Sequence, residues 1–171
     1  EFRRVLFRSD TELGRWLATS NTMLRIGRNL FVHAGLSARL LERDLEMDTL
    51  NARMSEGLYR TSKERREDPT LEFLYRSAGP VWYRGMVCTD EKYDPLTPEQ
   101  TDALLRRYDA DRLLIGHTIF PDISTFHDGR VIAVNVQNEL NRRKNRGRAV
   151  LIEGSRISVV GNRGVKRVLE E

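Results

Sequence analysis

Two of the chain's three histidines sit in matching contexts. His33 ends the apolar run Leu30-Phe31-Val32 and precedes Ala34-Gly35. His117 ends Leu113-Leu114-Ile115-Gly116 and precedes Thr118. An imidazole at the carboxyl edge of a buried strand points into the crevice where α/β sheets bind ligands. The neighbouring glycines let backbone and an ion or phosphate approach closely. Neutral imidazole is also the commonest side-chain metal ligand. Either histidine alone reads more simply as a satisfied residue at a strand end; the repeated context is what points to a site. The third, His127, lies in Phe126-His127-Asp128-Gly129 and reads as an exposed hairpin residue.

The elements that would position these residues are short. Asp10 or Thr11 can cap a helix over 11–18, with Leu13, Trp16 and Leu17 on one face. Residues 23–26 and 30–33 read as two strands around a Gly27-Arg28-Asn29 turn. Ser37 caps a charged stretch, and 38–70 reads as solvated helices covering the core, ended at Pro69. Residues 71–76 form a further helical turn or two. Gly79-Pro80-Val81-Trp82-Tyr83-Arg84-Gly85 reads as a turn followed by an extended piece, and 90–98 as a polar loop. Thr97-Pro98-Glu99-Gln100 carries the signals of a capping box with proline in the first helical position. That helix runs to about Tyr108 and buries Leu104, Leu105 and Tyr108. A buried strand over 112–116 follows. Asp128-Gly129 signals a two-residue hairpin between strands at 123–126 and 131–136, and Gly154 a second one between 148–153 and 156–160. The order predicts a mixed α/β layered fold with an antiparallel C-terminal portion.

The composition narrows the function classes. In 171 residues, 39% hydrophobic and 32% charged, the apolar runs are only a few residues long. A membrane span needs about 18–20. One cysteine, Cys88, excludes an internal disulfide framework and a Cys-rich zinc module. It leaves the compartment open. The formal net charge is +4. Residues 1–9, Glu-Phe-Arg-Arg-Val-Leu-Phe-Arg-Ser, resemble a translated sequencing adapter. Without that segment's three Arg and one Glu the charge is +2, which weakens any argument for nucleic acid from bulk charge. The basic run Asn141–Arg148 reads as a solvated loop; it carries no aromatic residue for base stacking. Asp109 and Asp111 read as caps between a helix and a strand.

Leu30-Phe31-Val32-His33-Ala34-Gly35-Leu36-Ser37, followed by Leu114-Ile115-Gly116-His117-Thr118, resembles the last two motifs of the calcineurin-like metallophosphoesterases. The likeness is to the phosphoprotein-phosphatase type, including its bacterial Shewanella-like branch. Gly79-Pro80-Val81-Trp82-Tyr83-Arg84 resembles the tryptophan–arginine segment of that branch. The resemblance covers roughly residues 12–136.

It implies an α/β/β/α sandwich. It also implies two divalent metal ions (Mn, Fe or Zn) sharing a hydroxide that attacks phosphorus in line. By resemblance His33 and His117 are ligands of one metal, and Arg84 clamps the phosphoryl oxygens with paired hydrogen bonds. A surface ion pair is the plain alternative for Arg84. Trp82 and Tyr83 would wall the site or pack in the core. Asn135 stands where related bacterial members often carry Asp.

The family's three earlier motifs, with their aspartate, asparagine and general-acid histidine, are absent from this sequence. The expectation is therefore that residues 10–171 are the C-terminal part of such a domain, behind the foreign segment 1–9. Within it, 38–98 would be a helical and loop cover, and 99–171 a helix with strands and hairpins. The parent protein would hydrolyse phosphomonoesters, of phosphoproteins or small molecules, while this chain alone would be inactive and bind metal weakly. A dinucleoside polyphosphate hydrolase of the same superfamily is the close alternative. A non-enzymatic binding module using the basic loop 142–148 is the distant one.

Overall fold

The structure, a computed structural model, describes residues 8–170. Residues 1–7 of the adapter-like segment lie outside the described residues. The central sheet grows from a hairpin. Strand β1 (Met23–Ile26) pairs antiparallel with β2 (Asn29–Val32). Gly27 supplies the left-handed turn residue, at φ +58°. Strand β3 (Arg112–Ile115) then lies parallel to β2, and β5 (Val131–Ala133) parallel to β3. The short β4 (Ser124–Phe126) closes the edge antiparallel to β5, giving the order β1-β2-β3-β5-β4.

Period-two alternation decides which layer each side chain joins. Leu30 and Val32 of β2, Leu113 and Ile115 of β3, and Val131 and Ala133 of β5 are buried in the larger core. Helices cover that face: α2 (Met47–Gly57), α4 (Pro69–Tyr75) and α5 (Pro98–Arg107) contribute Leu50, Met54, Phe73, Leu74, Leu104 and Leu105, while the short α3 (Ser62–Arg66) between α2 and α4 buries nothing. Each fully buried aliphatic or aromatic side chain stabilises the fold by about 1.5–3 kcal/mol. The intervening residues, Leu114 and Ile132, point the other way and meet Ile157 and Val159. These belong to a three-stranded antiparallel sheet, β6 (Arg148–Glu153), β7 (Arg156–Gly161) and β8 (Lys166–Glu170). The layers are helices, sheet, sheet: a mixed α/β fold with an antiparallel C-terminal part, as the sequence predicts.

Local differences have physical causes. Thr11 caps α1 (Glu12–Ala18), accepting from Gly14 N, but Leu13 and Trp16 are exposed rather than buried. The 38–70 stretch is more than a solvated cover, since Leu40, Leu50 and Met54 are core residues. Ser37 precedes a 3₁₀ helix (Ala38–Arg43) without capping it; its hydroxyl donates instead to Ala78 O at 2.8 Å. Asp68 caps α4 and Pro69 occupies its first turn, so the proline starts a helix there. Segment 79–85 is a chain of turns, not an extended piece: Trp82 N and Tyr83 N both donate to Gly79 O. Around Asp128-Gly129 the register pairs Phe126 with Val131, leaving four residues in the loop instead of two. The basic run does not form only a loop, because its first residues belong to α6 (Asn138–Arg143). The capping box at Thr97 and Gln100 and the hairpin at Gly154 form as the sequence indicates.

Candidate active site

Strands β2 and β3 are parallel neighbours with Val32 opposite Ile115. Their carboxyl ends therefore lie side by side, and each is followed by its histidine. Gly116 N donates to His33 O at 2.8 Å, which extends the pairing one step past the strands. His117 then adopts the left-handed region at φ 58°. Thr118 N donates back to Gly116 O at 2.6 Å, closing a three-residue turn around it. For a side chain of this size that backbone costs roughly 1–2 kcal/mol, and such local strain clusters at functional sites. The result brings His33 Nε2 to 3.2 Å from His117 Nδ1, with the rings edge to face.

The third motif folds over the same edge. Pro80 O accepts from Ala34 N at 2.9 Å and more weakly from Gly35 N at 3.4 Å, tying the turn chain to the residues just after His33. Trp82 stands perpendicular to the His117 ring, 5.5 Å between centroids, and remains 55% exposed. Arg84 Nη1 donates to Thr118 Oγ1 at 3.1 Å. Among the described residues Arg84 has no carboxylate partner. Its guanidinium keeps most of its donors available beside the two imidazoles. Tyr83, in contrast, is a core residue whose hydroxyl donates to Asp94 O at 2.5 Å.

Burial, the nearby Arg84 cation and His33 together hold the His117 imidazole below its ordinary pKa. That favours the uncharged imidazole, the form that ligates metals. Among the described residues its buried Nε2 has no hydrogen-bond partner. Two nitrogens bound to one ion at about 2.0–2.1 Å, at angles between octahedral and tetrahedral, would lie about 2.9–3.4 Å apart. The observed 3.2 Å between His33 Nε2 and His117 Nδ1 falls inside that range. The same distance is that of a direct hydrogen bond between the two rings, so the pair is spaced both to bond to each other and to share one ion. Among the described residues no cluster of three or more His, Cys, Asp or Glu completes such a sphere.

Residues that sequence reasoning underrated complete the picture. Thr118, which follows His117 in its motif, holds Arg84. His127 is not an exposed hairpin residue. It is half-buried, with Nε2 3.0 Å from Met86 O and Nδ1 3.2 Å from Thr101 Oγ1. It links the β4–β5 loop, helix α5 and the turn chain that carries Arg84. No local signal could have shown this, since both partners are distant in sequence. Asp109 and Asp111 are not caps but ion-pair partners of Arg25 and Arg28. In the basic run Arg143 pairs with Glu139, Arg148 with Asp122, and Arg146 donates to Asn141 Oδ1, so part of that charge is spent internally. No described helix is long and apolar enough to cross a membrane.

No protein-family model and no curated protein matches the chain. Solved structures do. A cold-active protein tyrosine phosphatase superposes with a TM-score of 0.87 at 28% identity, covering 98% of this chain and 47% of that one. The cold-active protein-tyrosine phosphatase of a psychrophilic Shewanella species gives a TM-score of 0.86 at 28% identity, covering 97% and 48%. The chain therefore spans about half the length of the solved structures it matches, and it shares their mixed α/β fold.

Proposed function

We propose that this chain forms one half of a phosphatase active site of the dinuclear, calcineurin-like kind, acting on phosphorylated proteins or small phosphoesters. The observation that carries the reading is the convergence of His33, His117 and Arg84, from three separate segments, on one edge of parallel strands. The likeness to protein tyrosine phosphatases supports the same reaction class and favours phosphotyrosine among the substrates.

Each group has a defined task in this reading. His33 Nε2 and His117 Nδ1 would hold one divalent ion, with the surroundings of His117 favouring its neutral form. Bound divalent ions supply Lewis-acid polarisation of the phosphoryl group. Arg84, oriented by Thr118, offers paired N–H donors to phosphoryl oxygens and balances their negative charge. Trp82 shields the flank of His117 from water. Among the described residues no cluster of three or more His, Cys, Asp or Glu completes a metal sphere, so this reading expects the chain alone to be inactive.

The test is hydrolysis of p-nitrophenyl phosphate and a phosphotyrosine peptide, with Mn²⁺ or Zn²⁺ supplied. The parent gene product should turn over both, and Arg84→Ala should lower its kcat/KM by about 100-fold, the scale for losing one transition-state donor. The 171-residue chain alone should not. A parent without phosphatase activity, or robust turnover by the isolated chain, would contradict the proposal.

A further inference from the structure

Beside the histidine pair lies a separate pocket of about 650 Å³, lined by Arg39, Tyr75, Trp82, Arg84, Lys92 and Tyr93. Trp82 and Arg84 belong to both, so the pocket opens directly onto the site. Its cations are not equivalent. Lys92 pairs with Asp90 at 2.7 Å, and Arg76, also on the wall, pairs with Glu72 at 3.3 Å. Arg39 is exposed and, among the described residues, has no hydrogen-bond or ion-pair partner. The only carboxylate on the wall is Asp94. The pocket thus keeps one guanidinium free at its wall and a second, Arg84, at its junction with the histidines.

We infer that this pocket is a specificity subsite for an acidic peptide segment flanking the phosphorylated residue of a protein substrate. This rests on the phosphatase reading for the phosphoryl position, but not for the acid preference. Arg39 would take a Glu or Asp side chain as a paired hydrogen-bond acceptor. Tyr75, Trp82 and Tyr93 give the peptide's apolar atoms a surface to cover. Lys92 can exchange its Asp90 partner for a peptide carboxylate at little cost, because exposed ion pairs are weak.

Fluorescence anisotropy with the full 171-residue chain reads this directly. Three labelled peptides are compared: phosphotyrosine with acidic flanks, phosphotyrosine with neutral flanks, and the acidic peptide without phosphate. The acidic phosphopeptide should bind about five- to tenfold tighter than the neutral one, the scale expected for one or two exposed charge pairs. Arg39→Ala should erase that preference, Arg39→Lys retain part of it, and Arg39→Glu reverse it toward basic flanks. Equal binding of acidic and neutral phosphopeptides, or an unchanged preference in Arg39→Glu, overturns the inference. So does equal competition by a single-stranded oligonucleotide of matched charge. If the acidic peptide binds equally with and without its phosphate, the acid preference stands and the phosphoryl role of Arg84 falls.

Discussion

Gly79 has no room for a side chain, and the reason bears on the site. A Cβ there would overlap the Leu74 carbonyl, lying 2.5 Å from its carbon, and would sit 2.8 Å from Phe73 O. These are backbone atoms at the end of α4, so they cannot swing aside as a flexible side chain would. Gly79→Ala must therefore move the turn chain. Its next residue, Pro80, receives the hydrogen bond from Ala34 N that fastens the chain beside His33. Overpacking costs about 1–3 kcal/mol, and a lost buried hydrogen bond about 0.5–1.5 kcal/mol more. The sum, about 2–4 kcal/mol, corresponds in a domain of this size to a fall in Tm of roughly 5–15 °C. Circular dichroism melts measure it, with Gly154→Ala as the control. At Gly154 φ is +63° and a Cβ would meet nothing within 4 Å, so only backbone strain of about 1 kcal/mol is expected. A Gly79→Ala melt within about 2 °C of the parent chain would refute the claim that the turn chain is rigidly clamped.

Three further outcomes follow from the same framework. His127→Ala removes contacts to Met86 O and Thr101 Oγ1 and should cost about 1–2 kcal/mol in urea unfolding; no loss would return His127 to the exposed class. Asp68 is held below its ordinary pKa of 3.8, first by the Leu71 backbone N–H and then by Arg53. A depressed carboxylate adds stability in full above its unfolded value and loses it as pH falls through the folded value. The Tm should therefore drop below about pH 4, and Asp68→Asn should flatten that drop; an identical acid limb in the variant would contradict it. Thr97→Ala removes the hydroxyl that accepts from Gln100 N and should destabilise by about 1 kcal/mol, read as a shift of the urea midpoint with m unchanged.

What could be read from the sequence was local. Leu30-Phe31-Val32-His33 and Leu113-Leu114-Ile115-Gly116-His117 identified two strands and the residues at their ends. Thr97-Pro98-Glu99-Gln100 fixed a helix start, because its partners lie within four residues. The parallel pairing that sets those histidines 3.2 Å apart was not in either string, since register between distant strands depends on the helices that cover them. The turn chain 79–85 looked extended because Val81, Trp82 and Tyr83 favour strands. Hydrogen bonds to Gly79 O and the packing of Tyr83 in the core overrode that preference. Strand β8 carries no alternating pattern in the sequence, and Lys166, Arg167 and Val168 are all exposed in it. The same limit hid Thr118 beneath Arg84 and His127 behind Met86.

The central claim is that His33 and His117 act together as ligands of one ion. Zn²⁺ titration of the chain, followed by NMR of the three histidine ring protons, tests it most directly. The resonances of His33 and His117 should shift together with one weak midpoint while His127 stays fixed, and His33→Ala should abolish the shift at His117. Independent midpoints, movement of one ring alone, or an equal response at His127 would contradict it.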